Sequence, residues 1–257
     1  MKHTIKITTL LLLVLAFVVS CSKDDSTDSG GQYEAFAFQA DEVINKVPQG
    51  LKNSDNPYAE DCYEAIEQAV DMSSFVALME PPANAQVVNT KSTEGSVTYT
   101  WTETYDGQTY TYIWIYSDDA TKNYYTMQIQ INGGPIYNFV DAWEFKDGNK
   151  GQVKFNFNYI YCSYYTDYEF ECEDLYWTYT WEITASGRYN FSYYIDSGID
   201  DYSYSLRIDI VLEADGSGSI DYYSADELFW HMEWDSIGNG SYTYYYGGYE
   251  ESGSWTV

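Results

Sequence analysis

The residue types that most often carry out catalysis are sparse in this chain of 257 residues. Beyond residue 20 there is one histidine, His231, which lies two residues before Glu233. On a strand these two side chains share a face, so one interpretation is a general base oriented by a carboxylate. No Gly-x-Ser-x-Gly elbow accompanies them, and a solvent-facing strand residue is the simpler interpretation.

Carboxylates are abundant, with 40 aspartates and glutamates. A glycosidase needs two opposed carboxylates at a set separation. The acids on predicted strands are Glu103, Asp141, Glu144, Glu169, Glu171, Glu182 and Glu233. Among 40 acids some pair always fits, so this pattern alone does not indicate a hydrolase.

Zinc ligands at usable spacing are missing from the sequence, whereas calcium stays an alternative because carboxylates are plentiful. Asp196, Asp200 and Asp201 cluster in one predicted turn and Asp215 lies in another, but there is no calcium loop of the Asp-x-Asp-x-Asp-Gly type. A zinc site would need more His or Cys-x-x-Cys pairs. The sequence therefore predicts no metal, no cofactor and no enzymatic activity.

Aromatic residues are the third candidate, because the chain has 30 tyrosines and eight tryptophans. Planar rings with polar edges suit stacking and hydrogen bonding to sugars or proteins. The candidates for stacking on a ligand are Trp101, Trp114, Trp143, Trp177 and Trp181. The alternative is that these rings only pack within and across strands, which also follows from the alternation.

The elements that must position these residues are strands. From Ser96 onward, aromatic and β-branched residues alternate with period two around turns such as Asp106-Gly107, which is typical of antiparallel hairpins. The predicted strands span approximately 96–105, 109–117, 123–132, 136–146, 151–162, 168–173, 175–186, 188–197, 202–213, 218–224, 228–235, 241–247 and 252–257. The predicted fold class is mostly β, an antiparallel up-and-down meander that forms an open half-barrel or a closed barrel. Two stacked sheets are the alternative.

A helical segment, 33–82, precedes this β domain, 83–257. Gln39–Val47 predicts a short helix, and Asn56-Pro57 begins the clearest one, with Asn as the N-cap and Pro at the first helical position. Pro81-Pro82 ends it. Its apolar stripe, which includes Cys62, is expected to cover the concave side or an edge of the sheet.

The first residues have the pattern of an export signal. Lys2 and Lys6 precede the apolar run Leu10–Val19, which is too short to cross a bilayer, so 1–20 is predicted to be a signal peptide. Val18-Val19-Ser20-Cys21 resembles a bacterial lipobox, which implies that Cys21 carries lipid, including palmitate. The following Ser22–Ser26 is similar to the acidic surface-export tag of Bacteroidota lipoproteins, and 21–32 reads as a flexible tether.

These patterns predict an outer-membrane lipoprotein, lipid-anchored and displayed on the cell surface or on the periplasmic face. The formal net charge is −28, with ten basic residues against 40 acidic ones beyond the signal. A nucleic-acid partner is excluded on this ground, because phosphate binding needs clustered lysine and arginine.

Three cysteines remain after Cys21. Cys162 and Cys172 flank a predicted hairpin symmetrically, so a disulfide between them fits an oxidising envelope. Cys62 is then a buried free thiol. The competing pairing joins Cys62 to one of the two sheet cysteines.

The predicted function is that of a non-enzymatic binding or structural module, which presents an aromatic β surface to a glycan, a protein or another ligand. One alternative is a carrier of an apolar ligand in a helix-capped half-barrel. That form is similar in architecture to periplasmic lipoprotein carriers. The other alternative is an envelope hydrolase that uses carboxylates.

Overall fold

The computed structural model describes residues 33–38, 40–77, 80–89, 95–157, 175–197 and 204–257, which contain three helices and thirteen strands. The helices are α1 (Ala40–Lys46), α2 (Gln49–Lys52) and α3 (Pro57–Ala77). The strands are β1 (Gln86–Asn89), β2 (Ser96–Tyr105), β3 (Gln108–Asp118), β4 (Lys122–Ile131), β5 (Ile136–Phe145), β6 (Lys150–Asn156), β7 (Leu175–Ile183), β8 (Tyr189–Ser197), β9 (Tyr204–Leu212), β10 (Gly218–Ser224), β11 (Glu227–Trp234), β12 (Gly240–Tyr246) and β13 (Tyr249–Trp255). None of the described helices combines the length and the apolar character that a membrane span requires.

All thirteen strands form one antiparallel sheet in chain order. The predicted meander is confirmed in its open form, because within the described residues β1 and β13 are the two edges and do not pair with each other. Strand β1 was not predicted, since it has only four residues and its pairing with β2 is interrupted by a bulge. The strand predicted at 168–173 lies outside the described residues.

The two faces of the sheet differ in chemistry. On the inner face, one cross-strand row carries Trp181, Phe191, Ile210, Ile220 and Met232 on β7 to β11, and all five side chains are buried. The corresponding row on the outer face carries Ser, Asp and His side chains. A single-layer sheet with one apolar face needs a cover on that face.

Part of the cover is an N-terminal strap, residues 33–38 and 40–52, which crosses one end of the sheet. We call this end, where the strap contacts the turns between strands, the proximal end. The Tyr33 ring lies 4.9 Å from Trp114, Phe36 lies 4.5 Å from Tyr125, and Phe38 lies 5.2 Å from Trp181. The strap then runs along the turns between strands. Added Cβ atoms at Gly148, Gly216 and Gly238 would meet the strap backbone at Ala37, Lys46 and Leu51, respectively.

Helix α3 provides the rest of the described cover. Its N-cap is Asn56, whose side-chain oxygen accepts the Tyr58 amide at 3.0 Å, as the sequence predicts. The Tyr58 ring stacks on Tyr242 of β12 at 3.9 Å. One turn further, the Cys62 sulfur lies 3.6 Å from the sulfur of Met232 on β11. Cys62 is thus a buried free thiol, as predicted.

A tryptophan closes the proximal end of the sheet at three places. In each case the indole N–H donates to a glycine carbonyl in a turn, and the ring lies over a glycine on the neighbouring strand, where a Cβ would overlap it. The bonds run from Trp181 to Gly148 (3.0 Å), from Trp234 to Gly216 (2.9 Å) and from Trp255 to Gly238 (2.8 Å). The covered glycines are Gly151, Gly218 and Gly240. Each of these three hydrogen bonds holds a turn that the strap contacts.

We expect Trp181→Phe to lower the free energy of unfolding by about 1–3 kcal/mol, because it leaves the buried Gly148 carbonyl without its donor. Trp143→Phe is the matched control. Trp143 lies half-buried on the outer face, and its indole donates to the Gln152 side chain at 3.3 Å. Urea unfolding of both variants measures the difference, and equal losses would contradict the structural role given to the Trp181 indole.

Candidate binding surface

Six aromatic side chains lie on the inner face of β10 to β13, at the distal end of the sheet, away from the strap. They are Tyr222, Phe229, Trp230, Tyr244, Tyr246 and Tyr249, and we call them the aromatic strip. The last two hairpins reach their turns at this end. The strip is therefore built on paired strands, which hold its rings in place.

Strand register explains why these rings meet. Tyr222, Trp230, Tyr244 and Glu251 are direct cross-strand partners on four successive strands, so their side chains point to one face. A bulge in β11 adds Phe229 next to Trp230, and the Phe229 ring contacts Tyr222 and Tyr244 on the same face.

The turn after β12 brings two more tyrosines to the surface. Gly247 and Gly248 both have positive φ, 56° and 85°, which suits a two-residue hairpin turn. Tyr246 and Tyr249 flank this turn and face each other in register. Their exposed fractions are 73% and 82%, the highest among the described large apolar and aromatic residues.

The rings form a continuous row from the helix to the turn. Tyr222 and Trp230 stack at 5.2 Å with 24° between their planes. Phe229 meets Tyr244 edge to face at 6.5 Å, and Tyr244 and Tyr246 lie 6.4 Å apart with planes only 14° apart. Exposure rises along this row toward the turn, so its outer part lies open to solvent.

Helix α3 marks the inner boundary of the strip. Burial raises the pKa of Tyr222 above its ordinary value, with further contributions from Cys62, Asp61 and Glu64 on α3. Tyr222 is thus the covered end of the strip, and Tyr246 and Tyr249 are its open end.

The tryptophans that the sequence offered for ligand stacking occupy other environments. Trp114, Trp177 and Trp181 are buried on the inner face, with no more than 4% of each exposed. Trp101 is half-buried and stacks on Tyr112 at 5.1 Å. Trp143 lies on the outer face, where the Lys122 ammonium sits 4.0 Å above its ring. The strip shares none of these residues; its sequence signal is the tyrosine run beside Gly247-Gly248.

His231 lies on the outer face and is one third exposed. Its Nδ1 is 2.6 Å from an oxygen of Asp221 on β10, whereas Nε2 is 3.9 Å from Glu233. The orienting carboxylate is therefore Asp221, a cross-strand partner that sequence spacing could not reveal. Glu233 accepts a hydrogen bond from Ser241 at 3.0 Å instead.

Glu144 is the one buried carboxylate among the described residues. One of its oxygens, Oε1, accepts the Ala37 amide of the strap at 2.9 Å and the Tyr125 hydroxyl at 3.1 Å. Its other oxygen, Oε2, is buried and has no hydrogen-bond partner among the described residues. Burial raises the pKa of Glu144 to about 7, and the bonds to Ala37 and Tyr125 oppose that shift. The carboxyl clamps the strap to the sheet.

The other strand acids lie apart from Glu144. Asp141 accepts a hydrogen bond from Thr126 at 3.2 Å, and Glu182 pairs with Lys150 at 3.2 Å. Glu103 is exposed near the β2–β3 turn. Glu169 and Glu171, like Asp200, Asp201, Cys21, Cys162 and Cys172, lie outside the described residues.

A cavity of about 570 Å³ lies between α2, the start of α3 and the last residues of the chain. Its walls include Gln49, Asn53, Asp55, Asn56 and Val257. It opens at the proximal edge, whereas an apolar-ligand carrier would need an apolar cavity between α3 and the inner face.

No family model, curated protein or solved structure matches this chain. Function must therefore be argued from the geometry of the molecule itself.

We predict that the free energy of unfolding falls as pH rises from about 4.5 to about 7, because folded Glu144 holds its proton through this range and unfolded Glu144 releases it. At about 1.4 kcal/mol per pKa unit, this contribution is roughly 3 kcal/mol.

Glu144→Gln keeps an oxygen acceptor for Ala37 and Tyr125 but cannot ionise, so it should remove this part of the pH dependence. Urea unfolding of both proteins at pH 5 and pH 8 measures it. All other charges are the same in the two proteins. The difference between their pH profiles therefore excludes the general charge repulsion within a chain of net charge −28. Parallel pH profiles for the two proteins would refute the buried-carboxyl explanation.

Proposed function

We propose that this chain is a lipid-anchored lipoprotein of the cell envelope that binds a saccharide on its aromatic strip. The observation that carries the proposal is the open end of the strip, where Tyr244, Tyr246 and Tyr249 expose their rings on a two-stranded hairpin. Sugar rings have apolar C–H faces and polar edges, and they stack on flat aromatic rings while the hydroxyl groups bond around them.

Two of the exposed rings are already ordered before a ligand binds. Tyr244 and Tyr246 are two residues apart on β12, so their side chains lie on one face and their planes are nearly parallel before any ligand arrives. Tyrosine loses little side-chain entropy on binding, because it has only two rotatable side-chain bonds. A row of exposed aromatic rings on a protein surface is the type of patch that marks an interaction site.

The anchoring part of the proposal comes from the sequence. Cys21 in its lipobox context would carry the lipid, and residues 21–32 would tether the sheet to the outer membrane. A flexible chain of that length spans roughly 20 Å. The strip would then be held near the envelope surface, where saccharides are the abundant polymers.

We expect Tyr246→Ala combined with Tyr249→Ala to weaken saccharide binding about tenfold to a hundredfold, since an aromatic contact contributes about 0.5–1.5 kcal/mol per ring. The mature protein in detergent is first screened on a glycan array, and the best ligand is then titrated by calorimetry. Both side chains are mostly exposed, so the fold should persist.

The matched control is Tyr105→Ala. Tyr105 is 61% exposed and flanks the Asp106-Gly107 turn of the β2–β3 hairpin, which lies near the opposite edge of the sheet from β12 and β13. Its loss should leave affinity unchanged. If Tyr105→Ala weakened saccharide binding as much as the Tyr246→Ala and Tyr249→Ala double substitution, the strip would not be the binding site.

Cys21→Ser should abolish incorporation of labelled palmitate and release the protein from the membrane fraction, because stable anchoring depends on buried acyl chains. The measurement is fractionation of cells grown with labelled fatty acid, with Cys62→Ser as the control for another thiol. Palmitate on the Cys21→Ser protein, or retention of that protein in the membrane, would contradict the proposed anchor.

A further inference from the structure

The part of the chain that carries the aromatic strip is strongly anionic. Beyond Arg207 the sequence contains neither lysine nor arginine, but it contains ten acids. They are Asp209, Glu213, Asp215, Asp221, Asp226, Glu227, Glu233, Asp235, Glu250 and Glu251. A ligand on the strip therefore meets a negative potential.

Carboxylates also border the strip directly. Glu251 is the cross-strand partner of Tyr244, so it lies on the inner face beside the exposed rings. Its charge also acts on the phenol of Tyr242, whose pKa is raised chiefly by its bond with Tyr58. Glu251 belongs to none of the ion pairs between described residues.

The opposite border of the strip is the start of α3. Asp61 and Glu64 lie near enough to act on the Tyr222 phenol. The pKa of Asp61 itself is raised by burial and by the neighbouring Glu64 and Glu60. None of these three acids joins an ion pair between described residues. The strip thus lies between Glu251 on one border and the α3 carboxylates on the other, and together these repel an anion and attract a cation.

We infer that the saccharide bound by the strip is cationic, a polymer of amino sugars with free ammonium groups. This inference rests on the proposed function and narrows its ligand class. Ring faces of Tyr244 and Tyr246 attract an ammonium through their π electrons, and Glu251 accepts charge-assisted hydrogen bonds from it. An anionic sugar is rejected by the same carboxylates.

The geometry favours a sugar over a basic peptide. The strip ends in three exposed tyrosine rings, Tyr244, Tyr246 and Tyr249, which can stack on the C–H faces of sugar rings. A polybasic peptide would also place ammonium groups over these rings, but it has no rigid pyranose face to stack on them.

The test is calorimetric titration of the full mature lipoprotein in detergent, at mildly acidic pH, with three probes of equal length. These are a glucosamine hexamer, the N-acetylglucosamine hexamer and hexalysine. The two sugars share a backbone and differ in charge. We expect the glucosamine hexamer to bind at least tenfold more tightly than the acetylated one and than hexalysine.

Glu251→Gln should reduce the preference for the charged sugar about threefold to tenfold. Glu250→Gln is the matched control, because Glu250 is the adjacent residue, pairs with Tyr245 and faces the outer side of β13. Circular dichroism of both variants checks that the sheet is retained.

Three results would overturn the inference. Equal binding of both sugars would leave the proposed saccharide function standing and refute the charge preference. Tightest binding of hexalysine would make a basic peptide the occupant. Binding of none of the probes would refute the amino-sugar ligand, while the glycan array still decides the broader function.

Discussion

The structure depends on covering one face of a very wide sheet. Thirteen strands in a single layer expose an inner face of tryptophan, tyrosine and aliphatic side chains, and the described cover is little more than the strap and α3. The strap is narrow, so it must follow the sheet closely. It does so by lying against turns whose glycines, such as Gly216 and Gly238, leave room for its backbone. The sheet and its cover therefore stabilise each other.

Buried polar contacts fix where this cover lies. Glu144 accepts the Ala37 amide, and the Tyr125 hydroxyl lies 3.1 Å from both a Glu144 oxygen and the Glu34 carbonyl oxygen, to which it can donate its one proton. These bonds set the position of the strap along the strands, which apolar contacts alone would leave less defined. A carboxyl buried with one unpartnered oxygen costs stability when it ionises, so the fold is most stable where Glu144 keeps its proton.

The position of the cover also decides what remains open. The strap lies toward the proximal end of the sheet. The start of α3 lies over Met232 of β11 and Tyr242 of β12. The same strands continue past the helix with the same inward alternation, and there Tyr244, Tyr246 and Tyr249 are exposed in the part of the chain that the structure describes. The aromatic strip is thus the continuation of the core into solvent, which explains why its composition resembles that of the core.

Much of the fold could be predicted because strands of period two and short glycine turns are local signals. Strand β2 was predicted with its observed bounds, and the helix start at Asn56-Pro57 was predicted from capping chemistry. The site was harder. Trp181 and Trp230 look alike in sequence, yet one is buried and the other belongs to the strip, because helix placement over the sheet is a tertiary property. The Asp221 partner of His231 depends in the same way on cross-strand register.

The most direct measurement of this account is hydroxyl-radical footprinting of the mature protein, with labelling of each tyrosine read by mass spectrometry. It compares the open and covered parts of one face in a single experiment. The account predicts fast labelling of Tyr246 and Tyr249 and strong protection of Tyr116 and Tyr179, which are at most 1% exposed. Protection of Tyr246 and Tyr249 equal to that of Tyr179 would contradict it.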